Sequence, residues 1–155
     1  MAVAPIPSGY STVTPYIIVR DGKKAIDFYQ RAFGAVELFR LEGPDGKIAH
    51  AEIKIGNAPV MLSEGMSGYP DPLTLGGAAV SFMVYVPDVD AAFARAIAAG
   101  GTVKRPVANQ FYGDRTGTLA DPFGHVWSIG THVEDVAPEE MDRRMKEMMK
   151  PTATA

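Results

Sequence analysis

The sequence predicts an α+β fold made of two βαβββ modules set about a shared cleft, and three observations carry that expectation. The chain repeats itself at a constant offset of 67 residues, which matches Asp21 with Asp88, Ala25 with Ala92, Gly34 with Gly101 and Val36 with Val103. In both copies a stretch of period-two alternation precedes an acidic N-cap residue and a helical apolar stripe, and further alternating stretches follow. A Gly- and Pro-rich segment, Glu64 to Gly77, separates the copies. Two copies of one supersecondary unit imply pseudo-symmetric halves with a cleft between them. The organisation expected is a tail over 1–9 and one domain over 10–135, with module one at 10–63, a linker at 64–77 and module two at 78–135. A C-terminal helix and tail occupy 136–155.

Each element has its own justification. Thr12 to Val19 alternates as a strand, with Ile17 and Val19 on one face and Thr14, Tyr16 and Ile18 on the other. Asp21 stands where an N-cap belongs, the stripe Ile26, Tyr29 and Phe33 flanked by Ala25 and Ala32 forms a helix, and Gly34 ends it. Strands follow at Val36 to Leu41, Lys47 to Ile55 and Pro59 to Ser63, joined by the Gly43-Pro44-Asp45-Gly46 and Gly56-Asn57 turns. Module two repeats the order. It has a strand at Ser81 to Val86, a helix with the stripe Val89, Phe93, Ala96 and Ile97, and strands at Thr102 to Pro106, Thr116 to Ala120 and Val126 to Gly130. The last helix has Pro138 at its first position, acids early and bases late, as the helix dipole prefers. Its stripe of Met141, Met145, Met148 and Met149 suits packing against the body or a second subunit, or a pliable flap over a ligand.

Bulk properties exclude several function classes. A chain of 155 residues with 46% hydrophobic and 21% charged content is an ordinary single globular domain. The net charge of −3 and pI near 5.6 argue against a nucleic-acid surface. Absence of cysteine removes disulfides, thiolate metal sites and a Cys nucleophile. Residues 1–9 carry no Lys or Arg and do not read as a signal peptide, and the longest apolar run, Ala78 to Val86, is too short to span a membrane. The expected location is the cytoplasm. Gly76-Gly77 and Gly100-Gly101 lack the spacing of a phosphate loop, and three separated histidines form no visible triad.

The paired units with Val19-Arg20-Asp21, Ile26-Asp27-Phe28-Tyr29, Phe33-Gly34 and Asp121-Pro122-Phe123-Gly124-His125 resemble the vicinal-oxygen-chelate superfamily, which includes glyoxalases, bleomycin-binding resistance proteins and extradiol dioxygenases. Thr14-Pro15-Tyr16, His50-Ala51-Glu52, Phe111-Tyr112-Gly113-Asp114-Arg115 and His125-Val126-Trp127-Ser128-Ile129 look like its PhnB-like subgroup. The resemblance covers about residues 10 to 148. It implies curled mixed sheets, eight strands in all, around a cleft, with helices on the outer face and a homodimer as the assembly. Alternation then places Ser81, Met83 and Tyr85, with Thr14, Tyr16 and Ile18, on the cavity side. Phe82, Val84 and Val86 face the helix, as do Ala49, Ala51, Ile53 and Ile55, while His50, Glu52 and Lys54 point oppositely.

Metal-using members of that superfamily hold a divalent ion with four side chains, usually His and Glu. The resemblance lays those positions on Thr14, Met61 (or Leu62), Ser81 and Ser128, none of which is a carboxylate or an imidazole. The first reading is therefore a protein that binds a small apolar or amphipathic molecule without cofactor or catalytic metal. Its candidate ligand-binding residues are Tyr16, Ser81, Met83, Tyr85, Phe111, Tyr112, Asp114, Arg115 and Ser128. The alternative is an enzyme of lyase, isomerase or dioxygenase type, with or without one divalent ion, using His50 and Glu52 as catalytic residues and Arg115 at the oxyanion. Arg115 equally suits an ion pair with Asp114 or Glu52. His125 reads as a structural hydrogen-bonding residue and His132 as a surface residue.

Overall fold

A computed structural model describes residues 3–65 and 68–150. Module one comprises β1 (Tyr16–Val19), α1 (Gly22–Phe33), β2 (Val36–Glu42), β3 (Ile48–Ile55) and β4 (Ala58–Glu64). A short helix, α2 (Pro72–Leu75), interrupts the linker. Module two comprises β5 (Ser81–Tyr85), α3 (Val89–Ala98), β6 (Thr102–Asn109), β7 (Asp114–Ala120) and β8 (Val126–His132), and α4 (Pro138–Met148) closes the chain. The eight strands form two four-stranded mixed sheets of identical topology, β1-β4-β3-β2 and β5-β8-β7-β6. In each, the first strand runs parallel to the fourth and the other pairs are antiparallel. The α+β fold of duplicated modules is the one that the repeat predicts.

The repeat works through its caps. Asp21 and Asp88 each accept a hydrogen bond from the backbone N–H three residues on, at 3.0 Å, which satisfies an orphan donor at the start of α1 and of α3. Gly34 ends α1 at φ +67°, a left-handed geometry that a β-carbon would penalise. Behind the caps, Ala25, Ile26, Phe28, Tyr29 and Ala32 bury one face of α1, and Val89, Ala92, Phe93 and Ala96 do the same for α3. The helices pack on each other across the module boundary, where Arg95 Nε donates to the Ala32 carbonyl (3.1 Å) and Arg31 to that of Ala99 (3.0 Å).

Trp127 anchors the seam. Its ring lies 4.8 Å from Phe33, 5.4 Å from Tyr29 and 4.6 Å from Phe82, measured between centroids, so both modules share one aromatic core. Its Nε1 donates to Asp121 Oδ2 (2.9 Å), as does the Tyr29 hydroxyl (2.7 Å). Asp121 Oδ1 takes the backbone N–H groups of Phe123 and His125, both at 2.9 Å. This carboxylate is 5% exposed and accepts four bonds, closing its own turn while fastening α1 to β8. Burial pushes the Tyr29 phenol well above its ordinary value, and the neighbouring Asp121 carboxylate adds to that.

Three expectations need correction, and one short element is additional. β1 begins at Tyr16 rather than Thr12, because Thr14 turns back to donate to the Ser11 carbonyl (3.2 Å). Ala49 is exposed and Ile48 is fully buried, since a register shift between Leu41 and Glu42 breaks the alternation at the start of β3. The linker's α2 is capped by Asp71, which accepts from the N–H groups of Leu73 and Thr74, and short capped turns carry too little periodicity to be seen in a sequence. Finally, α4 has no buried residue, and Met145, Met148 and Met149 are exposed, so the methionine stripe does not pack against the body. No helix among the described residues is long and apolar enough to cross a membrane.

Candidate functional site

Strand register sorts the residues on the face of each sheet that points away from the helices. In module one, Tyr16 pairs with Met61, Met61 with Glu52 and Glu52 with Phe39, which sets Tyr16, Met61, Glu52 and Phe39 in one row. The corresponding row in module two is Met83, Ser128, Thr118 and Arg105. One row therefore carries an acid at its third place and the other a base at its fourth, on frames of the same topology.

On module one the polar groups form a chain. His50 Nε2 lies 3.1 Å from Glu52 Oε1, and His50 Nδ1 lies 3.0 Å from the Tyr16 hydroxyl. A neutral ring protonated on Nε2 satisfies both contacts, donating to Glu52 and accepting from Tyr16. The Tyr10 hydroxyl donates to Glu52 Oε2 from the other side. The bonds from Tyr10 and then His50 hold the Glu52 carboxyl below its usual range, and the same contact raises the Tyr10 phenol. His50 and Glu52 are thus brought together as the sequence implies, with both ring nitrogens engaged. Tyr10, which the sequence reading missed, has no periodic neighbour that could announce it.

On module two a cavity of about 310 Å³ lies on the open face. Thr116, Thr118 and Ser128 line it together with Met83 and Tyr112. Thr118 and Ser128 share a hydrogen bond of 2.9 Å. Arg105 and Gln110 lie at its rim, and neither they nor the two threonines were singled out from the sequence. Two register shifts on β6, on either side of Arg105, seat that residue opposite Thr118. Such bulges are invisible to alternation.

The other expected residues sit as follows. Tyr85 donates to Asp114 Oδ2 (2.8 Å), and Asp114, 5% exposed, also contacts His132 Nδ1 through Oδ1 (2.7 Å). Ser81 is exposed at the start of β5. Phe111 packs edge-on against Tyr112, with its carbonyl bonded by Arg144 (3.3 Å). Arg115 is a correction. Its guanidinium forks onto Asp90 of α3 with two bonds of 2.8 Å and reaches Asn109, on the opposite side of β7 from Asp114 and Thr116. An odd step along β7 turns it away from the open face, and its partner is neither Asp114 nor Glu52. His125 Nε2 donates to the Ile18 carbonyl (2.8 Å), a structural bond between modules.

His132 is more than a surface residue. Asp114 and, on its Nε2 side, Asp135 (2.9 Å) raise its pKa above the ordinary 6.5. A group whose pKa is higher in the folded than in the unfolded chain stabilises the fold fully below 6.5 and loses that contribution as pH rises through the raised value. The expected result is a His132 titration midpoint above 6.5 by NMR, moving back toward 6.5 in Asp114→Asn. A midpoint unaffected by that substitution would remove Asp114 as the cause.

Thr14, Met61 (or Leu62), Ser81 and Ser128, the positions that the resemblance implies for metal ligands, carry hydroxyl, thioether or alkyl side chains rather than the imidazole and carboxylate donors of a zinc or iron site. Among the described residues no group of three or more His, Cys, Asp or Glu side chains is placed to hold an ion.

Comparison with known proteins agrees with this architecture. Residues 10–129 match the family model described as Glyoxalase/Bleomycin resistance protein/Dioxygenase superfamily. An uncharacterized protein of Mycobacterium bovis is 46% identical over 138 residues, spanning 86% of this chain and 91% of its own length. The crystal structure of TioX from Micromonospora sp. ML1 superposes with a TM-score of 0.62 at 28% identity, over 82% of this chain and 100% of that one. The fosfomycin resistance protein FosX from Listeria monocytogenes shares the fold, with a TM-score of 0.61 at 19% identity over 84% and 97% of the two chains.

Proposed function

Because the chain belongs to the glyoxalase/bleomycin resistance protein/dioxygenase superfamily, we propose that it binds a small apolar or amphipathic organic molecule on the open faces of its sheets, as a homodimer and without a catalytic metal. The observation that carries this reading is the donor set: alcohols and a thioether stand where metal-using relatives have imidazoles and carboxylates. Around those positions the open faces present Tyr16, Phe39, Met83 and Tyr112 beside hydroxyl groups, the mixture of apolar wall and few polar anchors that ligand sites use. Arg115, already paired with Asp90, has no part in it. The PhnB-like subgroup is the reading within the superfamily that the Thr14-Pro15-Tyr16 and His50-Ala51-Glu52 motifs support.

Support for a second copy comes from what one chain leaves uncovered. Val36, Leu38, Phe39 and Leu41 on β2 are all about half exposed, as are Tyr16 and Tyr85, and α4 offers its methionines to solvent. Apolar exposure of that extent is characteristic of interfaces. Among the described residues the outer edges of β1 and β5 also have no strand partner.

One titration tests the binding. Neutral 2-naphthylacetamide is expected to bind and to shift the amide signals of Tyr16, Met83 or Ser128, in protein that sediments as two copies. Absence of any shift on either open face, or stoichiometric zinc, nickel or iron that is lost on mutating Thr14 or Ser81, would overturn the reading.

A further inference from the structure

The structure leaves one guanidinium without a partner, and its position identifies a ligand class. Arg20, Arg31, Arg40, Arg115, Arg143 and Arg144 each bond a carboxylate. Arg95 donates to the Ala32 carbonyl. Among the described residues Arg105 alone of the arginines makes no hydrogen bond or ion pair, and it stands at the rim of the 310 Å³ cavity in module two. In a chain of net charge −3 an arginine has carboxylates to spare. Two register shifts seat Arg105 opposite Thr118, on the face carrying Ser128 and Met83.

We propose that this cavity binds the carboxylate of an amphipathic organic acid, with Arg105 as its counter-ion. The proposal rests on the small-molecule reading above and names the chemistry of its ligand. A guanidinium presents parallel N–H donors that match the two oxygens of a carboxylate. The Thr118 and Ser128 hydroxyls, now bonded to each other, can each turn a proton toward an anionic oxygen, and Thr116 adds a third. A single cation with neutral hydroxyls balances one negative charge, so a monoanion fits better than a dianionic phosphate. Asp114 lies on the same face, but Tyr85 and His132 cover its two oxygens. Met83, Pro106 and Tyr112 supply apolar wall for the body of the acid, and the volume is at the lower end of those that small-molecule ligands occupy.

The corresponding place in module one explains why only one half binds the acid. There the row ends in Phe39 where module two has Arg105, and it carries Glu52 where module two has Thr118. A carboxylate there would meet like charge beside an aromatic ring. The duplication has therefore diverged into an anion-accepting half and an anion-rejecting half.

Matched acid and amide pairs test this. Phenylacetate and 2-naphthylacetate, with their primary amides, are titrated by calorimetry and by amide chemical shift into wild type, Arg105→Gln and Arg105→Lys. Each acid is expected to bind about 10- to 100-fold more tightly than its amide and to shift Thr116, Thr118 and Ser128. Arg105→Gln should abolish that preference by weakening the acid far more than the amide, and Arg105→Lys should restore part of it. The Arg105 side chain is exposed and makes no hydrogen bond or ion pair, so neither variant removes a bond that holds the fold. Acid and amide binding equally to wild type, or a preference that survives Arg105→Gln, would overturn the proposal while leaving the small-molecule reading intact. If neither series binds, both fall.

Discussion

Asp121→Ala is expected to destabilise the protein by about 3–5 kcal/mol, lowering the urea midpoint with little change in the slope of the transition. The reason is the number of donors that one buried carboxylate serves. Removing it strands the Tyr29 hydroxyl, the Trp127 indole N–H and the N–H groups of Phe123 and His125 in a site that is 5% exposed. Each unsatisfied buried donor costs about 1–3 kcal/mol, and partial entry of water reduces the sum. Asp121→Asn should cost less, because one amide oxygen still accepts from the turn while the amide nitrogen confronts the remaining donors. A loss under about 1 kcal/mol for the alanine variant would show that the seam is held by aromatic packing alone. The proposed ligand binding is coupled to this result, because Asp121 fixes α1 against β8 and β8 carries Ser128.

Gly113→Ala is expected to release the C-terminal segment from the cavity rim. Gly113 sits at φ +99°, where an L side chain is strained, and a β-carbon there would run into the Glu134 carbonyl and the Val136 side chain. The same carbonyl junction is used twice, since the N–H groups of Val133 and Glu134 both donate to Gly113 O at 2.9 Å. Beyond it, Arg144 ties α4 to Glu134 and to the Phe111 carbonyl. These outer ion pairs are exposed and each contributes little, so the backbone junction is the main attachment. Strain of about 2–4 kcal/mol is expected to appear as faster proteolysis within residues 133–150, with the two sheets still protected. Uniform loss of protection throughout the chain would instead make the segment part of the global fold. Because Tyr112 precedes Gly113, weakened ligand affinity should accompany the release.

The fold was legible because its signals are local and duplicated. Asp21 and Asp88 cap the starts of α1 and α3 alike and Gly34 ends α1 in a left-handed turn, and such caps act through backbone geometry that depends on few neighbours. Burial on β1, β3 and β5 likewise follows alternation wherever the ladder is regular. It fails at Ala49, where a register shift intervenes, and at Arg105, where two shifts do. A bulge exchanges the faces of every residue beyond it, so one extra residue decides whether Lys104 or Arg105 stands across from Thr118.

The candidate site was only half legible. His50 and Glu52 share a face because two residues is the period of a strand, and the structure gives them that contact. Tyr10 and His132 join their clusters across 42 and 18 residues of sequence, and no local pattern encodes such approaches. Arg115 looked like the anion-binding group because the sequence shows a charge beside aromatics, but Asp90, 25 residues away on α3, takes it.

By itself, then, the sequence determined the modules, their caps and turns, because each of these depends on residue type and short spacing. Only the tertiary structure decided which arginine is paired and which is free, and that Asp121 would fasten the two halves. Those outcomes depend on register shifts and on distances between strands and helices far apart in the chain, and the chemistry available on the open faces follows from them.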